Sequence, residues 1–502
     1  MNQTTLILSP EKAYDAEQCY RVVKRSIDAR QRALKVNLTV LTNDQGCPIA
    51  KNDPIPLYEA PHFQDVHNAA NSVAIIGAGP AGLFAALTLL EKGIKPIIFE
   101  RGKDVGERKK DIATLNRNQG LNAESNYCFG EGGAGTFSDG KLYSRSKKRG
   151  NMQRVMELFH HFGAADSVLY EAHAHIGSDK LPSIIRAMRE CIIQHGGEVH
   201  FESCVDTILL RKLLSDSSSL LGVILAIGHS AHDTYQMLAN EGVLLENKGF
   251  AMGVRAEHPQ ALINRLMYHD PSEELIHLIG NASYSLVTQV QGRGVYSFCM
   301  CPGGHIVPAG SNAHGCVVNG MSASHRNSPY ANSGMVVEIR PEDLASLGVG
   351  DSTLAGLRFQ QHLEQLAFAH GSTPSIAPAQ RLLDFVEGRR SKTLPACSYL
   401  PSVRSSRMHE WLPEHIGKRL QQGFRDFDRK YRGFLTNEAI ILGVESRSSS
   451  AVRIPRDTES MQSLSTPRLY PCGEGAGYAG GITSSALDGI NAALKIAALV
   501  QA

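Results

Sequence analysis

Apolar residues recur along this chain with two periods, and the changes of period divide it. Thr4–Leu8 reads as a short strand. Over Ala16–Leu34, the i, i+4 spacing of Cys19, Val23 and Ile27 predicts a helix, and Lys35–Leu41 then alternates as a strand with Val36, Leu38 and Val40 on one side. Asp53–Pro61 holds three prolines and reads as a linker. From Ser72 the pattern becomes strand, glycine turn, helix, turn, strand. A helix is expected at Leu181–His195, where Ile184, Ile185, Met188, Cys191 and Ile192 form one apolar stripe that Gly196 ends. Strands are expected at Glu198–Phe201 and Leu221–Ile227. Residues 282–340 read as short strands with glycine turns and 341–432 as mostly helical, and the last segment returns to strand, glycine turn and helix. These elements predict a small α/β module at 1–70, a Rossmann-like α/β domain split between 71–235 and 440–502, and a mixed α+β domain inserted at 236–439. The first module carries no chemical motif and is expected to serve packing or dimerisation.

Composition narrows the function more than the fold. Apolar residues make up 42% and charged residues 20% of 502, an ordinary globular balance. Lys and Arg number 51 against 49 Asp and Glu, so no global basic field attracts nucleic acid, and no such partner is expected. No apolar run is long enough to span a membrane and no signal peptide is apparent. The ten cysteines lack the spacing of a disulfide scaffold and read as reduced thiols of a cytoplasmic protein. The 47 glycines cluster, which suggests backbone held close to a ligand.

The strongest cluster is Gly77-Ala78-Gly79-Pro80-Ala81-Gly82. It follows the apolar strand Val73–Ile76 and opens the helix Ala81–Lys92, and the strand Pro96–Phe99 then ends in Glu100. Gly77 permits the tight turn, Gly79 lets backbone approach a pyrophosphate, and Gly82 allows close helix–strand packing. The helix N-terminus favours the anion. Glu100 is placed to accept from ribose hydroxyls and repels a 2′-phosphate, which speaks against NADP as the bound dinucleotide. Residues 135–141 (GTFSDGK) also fit a phosphate loop, but Leu142 stands where a magnesium-binding hydroxyl is needed, and a glycine-rich loop replaces the preceding strand. ATP chemistry is therefore set aside.

GAGPAGL followed by ERG, with Arg101 after Glu100, resembles flavoproteins of the glutathione reductase-like superfamily. The resemblance implies three further FAD contacts. The first is Gly130–Arg145 (GEGGAGTFSDGKLYSR), in which Gly135, Ser138, Gly140 and Lys141 would lie against the pyrophosphate and ring. The second is VILAIGH, with Gly228 beneath the adenosine and Val205 meeting the adenine. The third is LYPCGEGAGYAGGITSSALD, with Gly473 and Glu474 at the ribityl chain and Gly480, Gly481 and Ile482 at the flavin edge. SIDAR, HIGSDKLP, AIGHSAHDTY, GVRAEHPQ and FCMCPGG extend the resemblance over residues 26–490, to the bacterial family of uncharacterised FAD-dependent dehydrogenases (NAD(P)/FAD-dependent oxidoreductases). One departure is DTILLRKLLSDSSSLLG between Val205 and Val223, a poor strand pattern where such proteins carry a β-meander.

The implied protein is an FAD-dependent oxidoreductase acting on a small, anionic substrate. No second strand–GxGxxG–helix unit is present, so NAD(P)H would be a transient co-substrate, or an electron-donor protein would replace it. Arg255 and Arg447 are candidates to hold the substrate and His258 to donate a proton. Cys299-Met300-Cys301 reads first as inert strand thiols, with a redox relay to the flavin as the alternative; no metal site is completed. Two other functions remain open: a flavin-dependent tRNA-modification enzyme, and a non-catalytic FAD-binding protein.

Overall fold

The computed structural model describes residues 2–56, 58–143, 150–350 and 352–501; Ser144 and Arg145 of the glycine- and serine-rich stretch lie outside them. The chain opens with β1 (Asn2–Leu8), the helix Pro10–Cys19, β2 (Val22–Asp28) and β3 (Lys35–Thr42), which form an antiparallel sheet in the order β1-β3-β2. The helix expected over Ala16–Leu34 thus ends at Cys19, where a strand takes over. Val22 pairs with Val40 and Ile27 with Val36, and a register shift after Val22 breaks the simple alternation that marks a strand. The i, i+4 spacing read as a helix face spans the end of a helix and a bulged edge strand.

Next come β4 (Ser72–Ile76), β5 (Lys95–Phe99), β6 (Glu198–His200) and β7 (Leu220–Leu225). With β19 (Leu469–Pro471) they form a five-stranded parallel sheet in the order β19-β7-β4-β5-β6. β4 is central and buried along its whole length, which explains its unbroken apolar sequence. The helices Pro80–Glu91 and Ile482–Gln501 pack on the sheet and on each other. A Cβ on Gly489 would fall 2.0 Å from the Ala81 carbonyl oxygen, so the two backbones meet where only glycine fits. The segment after Val205 forms the helix Thr207–Ser215 in place of a meander.

Between β7 and β19 run β8 (Glu246–Asn247), β9 (Phe250–Pro259), β10 (Val287–Val290), β11 (Arg293–Cys301), β12 (His305–Pro308), β13 (Val318–Met321), β14 (Tyr330–Ile339), β15 (Ala377–Arg381), β16 (Val403–Ser405), β17 (Ile440–Glu445) and β18 (Val452–Arg453). Seven of these make a mixed sheet, β10-β11-β14-β9-β17-β15-β16, while β12 and β13 form a ribbon over it. β17 lies inside this sheet, so the chain returns to the parallel sheet only beyond Glu445. Val254 and Ala256 of β9 share a core with Leu420, Phe424 and Phe427 of the helix Glu414–Lys430. Arg255 and Glu257 point to the other face, toward the β12–β13 side. Among the described residues no helix is long and apolar enough to cross a membrane.

Candidate functional site

A cleft of about 1380 Å³, counted to its open mouth, lies between the C-terminal ends of the parallel strands and the mixed sheet. This is where parallel α/β sheets bind ligands, because the strand ends and helix N-termini leave backbone N–H groups unpaired. Gly77, Gly79, Pro80 and Ala81 form one wall. Glu100, Arg101 and Val205 line the end beyond β5, and Gly228 lies after β7. Gly135 and Ser138 face Gly473, Glu474, Gly480, Gly481 and Ile482, while Phe298 and Cys299 of β11, Asn319 of β13 and Arg447 just beyond β17 close the other side. Segments up to about 400 residues apart in sequence are thus brought to one cavity.

The glycines fall into two groups. Gly77 has φ +106°, and a Cβ there would meet the Ala226 carbonyl oxygen at 2.4 Å; on Gly82 it would reach the Gly77 oxygen at 1.9 Å. These two, of which Gly82 does not line the cleft, are required by packing. At Gly79 an added Cβ would find only the Gly133 Cα, at 3.9 Å, and at Gly480 and Gly481 it would meet nothing within 4 Å. These three line the cleft, and no neighbouring protein atom excludes a side chain. The space a Cβ would fill is the ligand's, and this fits an extended dinucleotide such as FAD.

Glu100 is buried and already occupied. One carboxylate oxygen accepts the N–H groups of Gly102 (2.9 Å) and Gly130 (3.0 Å), and the other accepts that of Ala78 (2.9 Å). It ties the first glycine turn to the second glycine loop, leaving about one of its four lone-pair positions for a ribose hydroxyl. Arg101 is clamped by Glu124 and Asp233 and stacks on Phe129, 4.2 Å from the ring centre.

The second loop has an organiser that sequence reasoning missed. Arg108, fully buried, donates to the carbonyl oxygens of Asn126, Tyr127, Gly130, Glu131 and Gly133 at 2.8–3.2 Å. Burial holds its guanidinium down at about 10, still charged at neutral pH. Within the loop Ser138 donates to Gly135 O (2.7 Å) and accepts from Gly140 N (3.1 Å), so its proton is committed to the turn and only an acceptor lone pair remains toward the cleft. Gly140 and Lys141 do not line the cleft. Gly140 makes the turn at φ +69°, and Lys141 reaches Asp139 at 3.2 Å and the two sulfurs of the C-x-C pair. At the C-terminal motif, Asp488 accepts from Gly473 N at 2.8 Å and pairs with both terminal nitrogens of Arg456. Glu474 faces His229 at 3.4 Å, a cleft histidine that closes the VILAIGH motif and that the sequence reading gave no role.

Of the three catalytic candidates, only Arg447 lines the cleft. Glu364 accepts from its Nε and from a terminal nitrogen at 2.9 Å, and Ser311 accepts from the other terminal nitrogen. Burial disfavours charge on Glu364, but Arg447 holds its carboxyl below the usual range, so the pair is ionic and the arginine's charge is matched. Arg255 is buried behind the wall. It binds Asn332, Asn319, Glu445 and the Cys299 carbonyl, and so props the cleft without touching its space. His258 is in the opposite core, where its Nε2 lies 2.9 Å from Phe434 O. Residues three apart on a strand face opposite sides, so GVRAEHP cannot bring Arg255 and His258 to one cavity. Among the described residues no group of three His, Cys, Asp or Glu side chains is placed to hold a metal ion.

Comparison with known proteins agrees with this geometry. Residues 70–121 match an "FAD binding domain" family, residues 249–448 a family described as "FAD-dependent protein, C-terminal domain-like", and residues 13–42 a domain of unknown function. A relative from Clostridium beijerinckii, described as "Uncharacterized protein", is 40% identical over 496 residues, covering 95% of this chain and 91% of its own. Solved structures that match over most of the chain include CmlS, a flavin-dependent halogenase (14% identity, TM-score 0.32, 87% of this chain, 59% of that one). Another is a flavoprotein/dehydrogenase from Cytophaga hutchinsonii (11% identity, TM-score 0.32, 86% and 79%). The chain belongs to the same family as the Clostridium beijerinckii protein, and it carries an FAD-binding domain.

Proposed function

We propose that the protein is an FAD-dependent oxidoreductase that exchanges a hydride with a small substrate and is recycled by NAD(P)H or an electron-donor protein. The observation that carries this reading is the cleft itself, with Gly79, Gly480 and Gly481 bare where no protein atom requires it. FAD would supply two-electron chemistry at its ring; the chain supplies position, electrostatics and exclusion of water.

The Gly77–Ala81 turn and the start of the helix Pro80–Glu91 would hold the pyrophosphate, with Glu100 at the adjoining ribose and Val205 at the adenine. Gly473 would hold the ribityl chain. The helix Ile482–Gln501 points its N-terminus at the cleft, with Gly480 and Gly481 just before it, so its dipole favours negative charge on a reduced ring. This arrangement resembles the glutathione reductase-like flavoproteins. His229, beside Glu474, is the cleft side chain best suited to hold or deliver a proton. Arg447 presents an oriented but charge-matched guanidinium, better suited to hydrogen bonding a polar substrate than to capturing an unpaired anion. The cytoplasm is the compartment that suits its free thiols.

The test is anaerobic: purified protein is mixed with NADH and, separately, NADPH while the flavin absorbance is followed. Bleaching within seconds by one nucleotide supports the reading. A flavin that no pyridine nucleotide and no mediator-coupled reductant can bleach would contradict it.

A further inference from the structure

Cys299 and Cys301 sit where β11 breaks. The β11–β14 register shifts between Phe298 and Cys301, and Cys299 takes the left-handed φ of +47°, unusual for a side chain of this kind. Cys299 lines the cleft on the side of Gly135, Ser138 and Asn319, and Cys301 is buried behind it. Both sulfurs contact one ammonium: Lys141 Nζ is 3.9 Å from Cys299 Sγ and 3.7 Å from Cys301 Sγ. Arg255 adds a terminal nitrogen 3.5 Å from Cys301 Sγ.

The charges around the pair do not cancel without it. Three cations meet here: Lys141 from the glycine loop, Arg255 from β9, and Arg326, which grips Asp139 at 2.6 Å. Among the described residues three carboxylates act on them, Asp139, Glu445 and Glu257, and burial pushes Glu445 and Glu257 up to about 7, so neither is fully ionised at neutral pH. A thiolate would supply the missing negative charge. The hydrogen bond shared with Cys301, with Lys141 and Arg255 beside it, outweighs burial and holds the Cys299 thiol below the usual cysteine range; that bond and burial push Cys301 up. This is the division of labour of a dithiol in which one sulfur attacks and the other is held in reserve. Of the other cleft cysteines, Cys204 is pushed up by burial, and Cys128 donates to the Ala309 carbonyl.

We infer that Cys299 and Cys301 form a redox pair that exchanges two electrons with FAD bound in the cleft. The inference rests on the flavin reading given above. In one direction the two sulfurs join, the Cys301 proton is released, and two electrons pass to oxidised FAD, which takes up protons as it is reduced. In the other, two electrons drawn from reduced FAD would break the S–S bond, with Cys301 regaining its proton and Cys299 left as the thiolate. Positions i and i+2 of a straight strand lie about 6.6 Å apart, near the upper limit for a disulfide, and a bulge that bends the strand shortens that span. The resulting small ring would be readily reduced, which suits turnover better than structure. The substrate class this adds is a thiol or disulfide that can reach Cys299 from the cleft.

The full-length holoprotein is oxidised with diamide, desalted and titrated anaerobically with dithionite. Wild type should consume four electrons per FAD, and Cys299→Ser and Cys301→Ser two each. Peptide mass spectrometry of the oxidised, unreduced protein should show 299–301 lighter by two hydrogens. Iodoacetamide should label Cys299 with a midpoint below the ordinary thiol range, and Lys141→Met should raise it by about one pH unit. Wild type that binds FAD but takes only two electrons, with no 299–301 disulfide, would overturn the inference alone. A protein that takes up no FAD would overturn it together with the flavin reading.

Discussion

At the scale of single residues, the glycines separate ligand space from packing space, and substitution can tell them apart. Gly79→Ala meets only the Gly133 Cα at 3.9 Å, so the fold should tolerate it while FAD affinity falls, by about tenfold or more. Gly82→Ala would drive a Cβ into the Gly77 carbonyl and should lower stability by about 3 kcal/mol, with affinity lost only as a consequence. Thermal melts of the apoproteins and FAD titrations check both; equal apoprotein stabilities would refute the division. Arg108 is the other test. Arg108→Met leaves five buried carbonyls without their donor and should cost at least about 3 kcal/mol and disorder the loop. A variant with wild-type melting and FAD uptake would show that the loop holds itself. The glycine turn was legible in the sequence because its constraint is local: residue type, spacing and flanking periodicity state it together. Arg108 was not, since a guanidinium bound to main-chain oxygens pairs with no recognisable residue type. On the second loop Ser138 gives its proton to Gly135 and Lys141 turns to Asp139 and the C-x-C sulfurs, which a loop's sequence does not state because it does not say which way each side chain turns.

Among the elements, the crossing of the helices Pro80–Glu91 and Ile482–Gln501 carries the most weight, because it presses the closing glycines against the opening turn. Gly489→Val would place side-chain atoms on the Ala81 carbonyl and part the helices. It should lower stability by about 3 kcal/mol and weaken FAD binding although Gly489 does not line the cleft; intact binding would show that the crossing does not set the site. The buried strands β4 and β7 were readable from continuous apolar runs between glycine turns. β2 was not, because a bulged edge strand with one face half exposed shows neither period cleanly, and its pairing with β3 decided the outcome. Neither Arg255 nor His258 lines the cleft, because β9 turns them to opposite faces and residue type alone does not state which face meets a ligand.

For the whole molecule, the split sheet returns the chain after about 240 residues to complete a cleft it had begun, so stability and cofactor binding are linked. Saturating FAD should raise the melting temperature, with about 2.7 kcal/mol gained at a hundred times Kd. Acid should act oppositely. Burial holds His258 and His232 down at about 4 against an ordinary value of 6.5. The unfolded chain therefore binds protons the folded one refuses, and stability present above about pH 6.5 is lost as pH falls toward 4. His258→Gln should remove on the order of 3 kcal/mol of that slope, measured by denaturant melts between pH 8 and 4; an unchanged slope would mean that another group carries it. The site as a set was legible because four separate glycine segments each pointed to one ligand. The substrate was not, since the side chains over the cleft come from strands whose facing only the fold decides. FAD in the cleft is the premise of every role assigned to these residues. Apoprotein titrated with FAD should bind one equivalent and give a flavin spectrum shifted from that of free FAD, and Gly480→Val and Gly481→Val should abolish uptake while the fold survives. A folded, colourless protein that takes up no FAD, or variants at Gly480 and Gly481 that bind it as wild type does, would contradict it.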